Sequence, residues 1–177
     1  MKIIFLDFDG VVNSVQRSIA LKERLNAYSA EGIDPVALGL LKWVCSVTDA
    51  KIVISSLWRV RGIEWIKGVF AAHGWFSPPI VDITPRLNTK RGEEIQAYIL
   101  NKMLIEPYVI IDDDSDMLQH QLDNFVHTDS LVGFTIYDAM RCIEILGAVK
   151  DFDYIDDINQ HVKFRKKGKV KEVKFHD

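Results

Sequence analysis

The sequence predicts an α/β fold around a mostly parallel sheet. Short apolar runs of strand length alternate with amphipathic helical segments, the pattern of βαβ units joined by right-handed crossovers. The chain has 177 residues, 48% hydrophobic and 27% charged, enough for one domain with its own core and too few for two full α/β domains. No internal repeat or low-complexity segment interrupts the alternation.

Lys2 to Leu6 (KIIFL) reads as a buried strand, and Gly10 breaks the pattern after it. Residues 14–31 are mixed in character, part helix and part loop. Asp34 and Pro35 start a helix, as N-cap and first helical residue. Leu38, Leu41, Val44, Cys45 and Thr48 then recur at helical spacing. Lys51 to Ile54 (KIVI) is a second strand, ending in Ser55 and Ser56. Residues 62–73 form a helix closed by Gly74, and Pro78-Pro79 opens the extended piece PIVDIT. Residues 90–104 form a helix with acids in its first turn, where they suit the helix dipole. Tyr108 to Ile111 (YVII) is a further strand, running into Asp112-Asp113-Asp114-Ser115-Asp116. Residues 125–127 make a short strand and 135–148 a closing helix.

No apolar run approaches the roughly 18 residues of a membrane-spanning helix, so no membrane partner is expected. The N-terminus meets acids by Asp7 and does not read as a secretory signal. Cys45 and Cys142 lie in apolar helical patterns without metal-site spacing. They read as buried thiols of a reducing compartment, which places the protein in the cytoplasm.

The net charge of −3 hides an asymmetry. Residues 163–177 hold seven Lys/Arg against two acids, and the rest of the chain holds 15 against 23. Residues 151–177 therefore read as a C-terminal extension, acidic then basic, following a core over residues 1–150. Its stretch 162–175 alternates apolar and basic residues around Lys167-Gly168, as a β-hairpin or a basic tail would. Such a tail could bind phosphate backbones or simply be a solvated edge.

The chemistry-bearing residues sit at strand ends. Three apolar strands finish in Asp7 and Asp9, in Ser55 and Ser56, and in Asp112, Asp113 and Asp116. Open parallel sheets bind ligands beyond the carboxyl ends of their strands, so these residues converge if the strands are neighbours. Clustered carboxylates repel one another without a cation. Mg²⁺ is the natural partner, since it takes one or two carboxylates together with phosphate oxygens. A carboxylate beside it can attack phosphorus, while Ser55 and a cation near residue 90 hold the phosphoryl oxygens.

Four segments in order carry a family resemblance: FLDFDGVVN (5–13), VISSLWR (53–59), KRGEEI (90–95) and VIIDDDSD (109–116). Together they resemble the four motifs of the haloacid dehalogenase (HAD) superfamily of Mg²⁺-dependent phosphatases. ISSLWR, TPRL, RGEEIQAYI and IDDDSDM look most like HAD domains of bacterial and phage proteins, some of them fused within RNA-repair proteins. Phage polynucleotide kinase-phosphatases are a more distant comparison. The resemblance implies a Rossmann-like three-layer sandwich over residues 1–150.

It also implies roles. Asp7 matches the nucleophile and a metal ligand. Asp9 matches the general acid, its backbone carbonyl a further ligand. Ser55 matches the phosphate-binding hydroxyl, with Ser56 as the second choice. Lys90 and Arg91 both qualify as the third-motif cation, and RGEEI favours Arg91. Asp112 matches the metal-binding acid, with Asp113 or Asp116 orienting the metal's water shell. Ile111 stands where the family often has Gly, as in DD-type variants. Trp58 reads as packing rather than substrate stacking, and Arg59 equally as a substrate contact or a surface ion-pair partner. His73, His120, His127 and His161 lack metal spacing and read as structural, with His127 and Asp129 near the rim of the site.

HAD enzymes usually insert a cap after the first or third motif. Roughly 40 residues separate Asp9 from Ser55 and about 20 separate Arg91 from Asp112, so no large cap fits; residues 14–33 could form a small lid at most. The expected function is a phosphomonoester hydrolase acting through an aspartyl-phosphate. The open site suits a nucleic-acid end, a phosphoprotein or, under a partner's cover, a nucleotide. The alternative activity is polynucleotide 3′-phosphatase or nucleotide phosphatase. A non-catalytic nucleic-acid-binding module is the remaining class, disfavoured by the intact motif acids. The oligomeric state is not legible in the sequence.

Overall fold

Strand β1 (Ile3–Leu6) lies at the centre of a five-stranded sheet whose order is β3-β2-β1-β4-β5. Its neighbours are β2 (Lys51–Ile54) and β4 (Tyr108–Asp112), and β3 (Ile80–Ile83) and β5 (Phe125–His127) form the edges. All four pairings are parallel. The computed structural model describes residues 1–21, 32–104 and 107–148. His161, the 151–177 extension and its possible hairpin over 162–175 lie outside the described residues, as do residues 22–31 of the expected small lid.

The helices are α1 (Val15–Ala20), α2 (Pro35–Thr48), α3 (Ile63–Ala72), α4 (Arg91–Lys102) and α5 (Ile136–Leu146). Strand alternation sends Ile4 and Leu6 to one face and Ile3 and Phe5 to the other. The first face packs with Ile52, Ile54, Val109 and Ile111 against α2, α3 and α5. The second face packs with Val53 and Ile110 against Ile95 and Tyr98 of α4. This is the expected three-layer α/β sandwich. Both strand faces are buried, which is why the strands read as continuous apolar runs rather than alternating ones.

The helix signals act as the sequence indicated. Asp34 Oδ1 accepts the Val36 amide at 2.7 Å, with Pro35 following it. Gly74, with a φ of +84°, follows the C-cap of α3. Two 3-10 segments, Leu57–Arg61 and Gln119–Asn124, were not anticipated. Each follows a central strand, and each is too short to leave a periodic trace. Both cysteines are buried and unpaired, and burial pushes the Cys45 thiol up to about 12. Among the described residues, no helix is long and apolar enough to cross a membrane.

Candidate functional site

Parallel register brings the acids together. Leu6 pairs with Ile54 on one side and Ile111 on the other, so the residues after all three strands emerge side by side. The Asp7 amide donates to Ile111 O at 3.0 Å, and the Ser55 amide donates to Leu6 O at 3.0 Å. Gly10 allows the first loop to close over the acids. Its φ is +68°, and a Cβ there would lie 2.3 Å from the Asp113 side chain.

Asp7, Asp112 and Asp113 each present an oxygen within 4.8 Å of the others. Asp7 is 5% exposed and Asp112 is fully buried. Burial raises Asp7 to about 6, against the opposing pull of Arg91 and a hydrogen bond from the Ser56 hydroxyl. Burial and the neighbouring Asp7 charge raise Asp112 to about 8. Asp113 is raised too, first by burial and then by Asp114. Asp112 Oδ2 accepts no hydrogen bond although it is buried. Three carboxylates crowded into a poorly solvated site, one oxygen of which accepts no hydrogen bond, fit a hard divalent cation with oxygen ligands.

Arg91 is the cation that reaches this group. Its Nη2 is 3.2 Å from Asp7 Oδ1, and its Nε is 3.3 Å from Asp112 Oδ2. It gets there because Gly92 lets the first turn of α4 press against the chain after β4. A Cβ at Gly92 would fall 2.6 Å from both Gln121 Oε1 and the Leu118 nitrogen. Lys90 is the exposed N-cap residue of α4. Beside the acids, Arg91 Nη1 and the wholly buried Ser55 hydroxyl have no hydrogen-bond partner among the described residues. Unsatisfied donors beside an acid cluster are what an oxyanion ligand would complete.

The remaining expected residues have other neighbours. Asp9 lies outside the carboxylate trio. Its Oδ1 accepts from Asn13 Nδ2 at 2.7 Å and its Oδ2 from Trp58 Nε1 at 3.1 Å. Asp116 Oδ2 accepts the Arg91 backbone amide at 2.9 Å, so it caps α4 instead of joining the trio. Ser56 accepts the Trp58 amide at 3.2 Å in addition to bonding Asp7. Trp58 is fully buried and stacks on Phe8 with centroids 4.6 Å apart, in keeping with a packing role.

Arg59 is in an ion pair, but in the interior and not at the surface. It is buried, paired with Glu94 Oε2 at 2.5 Å, and it donates to the Ser55 and Ser56 carbonyls. Burial pulls its pKa down against the attraction of Glu94. The surface ion pair is therefore an interior one, tying the turn after β2 to the start of α4. His127, on the site's rim, bonds the Asp113 carbonyl at 2.8 Å.

Sequence reasoning missed Asn13, Glu94 and Gln121. Asn13 had a signal: its Oδ1 accepts the Gly10 amide at 3.0 Å, a local turn bond of the kind Asn favours. Glu94 read as a helix-dipole acid, and nothing local pairs it with a residue 35 positions away.

A family model described as "HAD domain in Swiss Army Knife RNA repair proteins" matches residues 3–139. No curated protein matches the chain. A solved crystal structure is similar at 15% identity, covering 94% of this chain and 97% of that chain, with a TM-score of 0.42. The matched stretch spans β1 through the start of α5 and contains every acid of the strand-end cluster. The chain belongs to the HAD domains of Swiss Army Knife RNA repair proteins.

Proposed function

We propose that this HAD-type domain is a Mg²⁺-dependent phosphomonoester hydrolase working through an aspartyl-phosphate. One observation carries the reading: the Asp7 carboxylate sits within 4.8 Å of Asp112 and Asp113 oxygens and 3.2 Å from the Arg91 guanidinium. A nucleophile, an acid cluster and a cation with a spare donor thus meet at one strand end.

Asp7, Asp112 and Asp113 would hold the ion, which supplies charge neutralisation for the phosphoryl oxygens. Arg91 Nη1 and the Ser55 hydroxyl orient those oxygens. An Asp7 oxygen attacks phosphorus, and the bond from phosphorus to the ester oxygen breaks. Asp9 gives its proton to that oxygen, releasing the alcohol. Asp9, now a carboxylate, takes a proton from water as the water attacks phosphorus. The Asp7–phosphate bond then breaks, and inorganic phosphate leaves.

The test is hydrolysis of p-nitrophenyl phosphate with and without Mg²⁺. Turnover that needs the metal and vanishes in Asp7→Asn is expected. Wild type that stays inert with metal across a broad phosphomonoester panel overturns the reading.

A narrower reading takes a polynucleotide 3′-phosphate as substrate. It is supported by the family's description in RNA repair proteins and by the short connections around the motifs, which leave no room for a large cap. A 3′-phosphorylated oligonucleotide should be turned over faster than its mononucleotide. Equal or better turnover of the mononucleotide removes it.

A further inference from the structure

Two hydrogen bonds and an aromatic stack single out Trp58. Its indole is fully buried, stacked on Phe8 at 4.6 Å and flanked by Trp65 at 5.6 Å. The ring cannot turn without dismantling that packing, so its N–H is a fixed point. That N–H donates to Asp9 Oδ2 at 3.1 Å. Asn13 Nδ2 donates to Asp9 Oδ1 at 2.7 Å, and Asn13 Oδ1 accepts the Gly10 amide at 3.0 Å. Donors on both oxygens fix the plane of the Asp9 carboxyl group as well as its position. Each oxygen keeps a second lone-pair direction for other work.

The same tryptophan is wired to Asp7. Its backbone amide donates to Ser56 Oγ at 3.2 Å, and the Ser56 hydroxyl donates to the Asp7 carboxylate. Phe8, which stacks on the indole, is the residue between Asp7 and Asp9. The turn after β2 therefore reaches both carboxylates, one through Ser56 and one through the indole.

We propose that Trp58 and Asn13 are positioning residues that aim the Asp9 carboxyl group at the leaving-group oxygen. This rests on the hydrolase reading above. A carboxyl group free to rotate would deliver its proton in a fraction of encounters, and the loss would fall on esters whose leaving group needs that proton. An alkyl phosphate leaves as a strongly basic alkoxide and needs it. p-Nitrophenyl phosphate leaves as a stable phenolate and does not.

The experiment measures kcat/KM for β-glycerophosphate and for p-nitrophenyl phosphate with the full chain and Mg²⁺. This ratio reports steps up to leaving-group departure, so attack by water on the intermediate does not mask the effect. Trp58→Phe keeps an aromatic ring and deletes the donor. It should lower kcat/KM for the alkyl ester about tenfold or more while changing the aryl ester within about threefold. Asp9→Asn should show the same split at larger amplitude. Asn13→Leu removes the other donor and gives the same signature if Trp58→Phe does not fold. Equal losses on both esters in the folded variants, or no loss on either, overturn the proposal and leave the hydrolase reading intact. Wild type inert towards both esters overturns the two together.

Discussion

Arg91 places Nη2 3.2 Å from Asp7 Oδ1 and holds Asp112 with the adjacent Nε at 3.3 Å. One planar guanidinium thus spans two strand ends. A lysine ammonium is a compact point charge on a flexible stem and lacks the rigid fork that holds both contacts at once. Arg91→Lys should lower kcat/KM for p-nitrophenyl phosphate about tenfold or more, and Arg91→Ala by about 10²–10³. Full activity in the lysine variant would show that charge alone suffices.

Asp7→Asn should separate stability from activity. Burial already holds the Asp7 carboxyl up at about 6, so its ionised form is strained in metal-free protein. Replacing it should raise the metal-free melting temperature near pH 8 by about 2–4 °C while abolishing turnover. Thermal scans in chelator check this; a lower melting temperature would contradict it.

The pH dependence follows from the same two acids. Asp7 at about 6 and Asp112 at about 8 both lie above their ordinary range in the unfolded chain. The folded protein therefore holds protons that the unfolded chain has released. The stability these groups give is complete below about pH 4 and is lost as pH rises through 6 and then 8. Mg²⁺ needs the deprotonated forms, so its stabilisation should grow over that range. The wild-type minus Asp7→Asn difference in melting temperature, with and without Mg²⁺, isolates this contribution. A metal increment that is flat or shrinks with pH would count against it.

The Arg59–Glu94 pair is buried, so breaking it leaves one charge without its partner. Glu94→Gln should cost about 3 kcal/mol by chemical denaturation. Arg59→Met with Glu94→Leu should recover most of that stability. The Ser55 and Ser56 carbonyls would still lose their donor, so activity should stay low in the double variant. Recovery of both together would mean the pair does not shape the turn after β2.

The elements of this fold were legible because each has a local cause. KIIFL, KIVI and YVII are buried on both faces, and Asp34-Pro35 and Gly74 punctuate helices on their own. The acids were legible for the same reason, since they follow those strands directly. The partners of Trp58, Arg59 and Glu94 were not. Each depends on a partner 35 or more positions away, chosen by packing rather than by spacing. Asp116 shows a further partner the motif did not reveal: its Oδ2 accepts the Arg91 amide 25 positions away.

Asp7 and Asp112 follow paired residues of adjoining strands, Leu6 and Ile111. Side chains alternate along a strand, so a slip of one residue between β1 and β4 would turn one carboxylate toward the opposite helical layer. The spacing of the Asp7 and Asp112 carboxylates is thus written in the backbone ladder at the molecule's most protected place. Changes in the surrounding loops can reshape the approach to these acids, but they leave this spacing alone. Losing it would require the central strands to come apart, so the two carboxylates should stay side by side almost to the point of global unfolding.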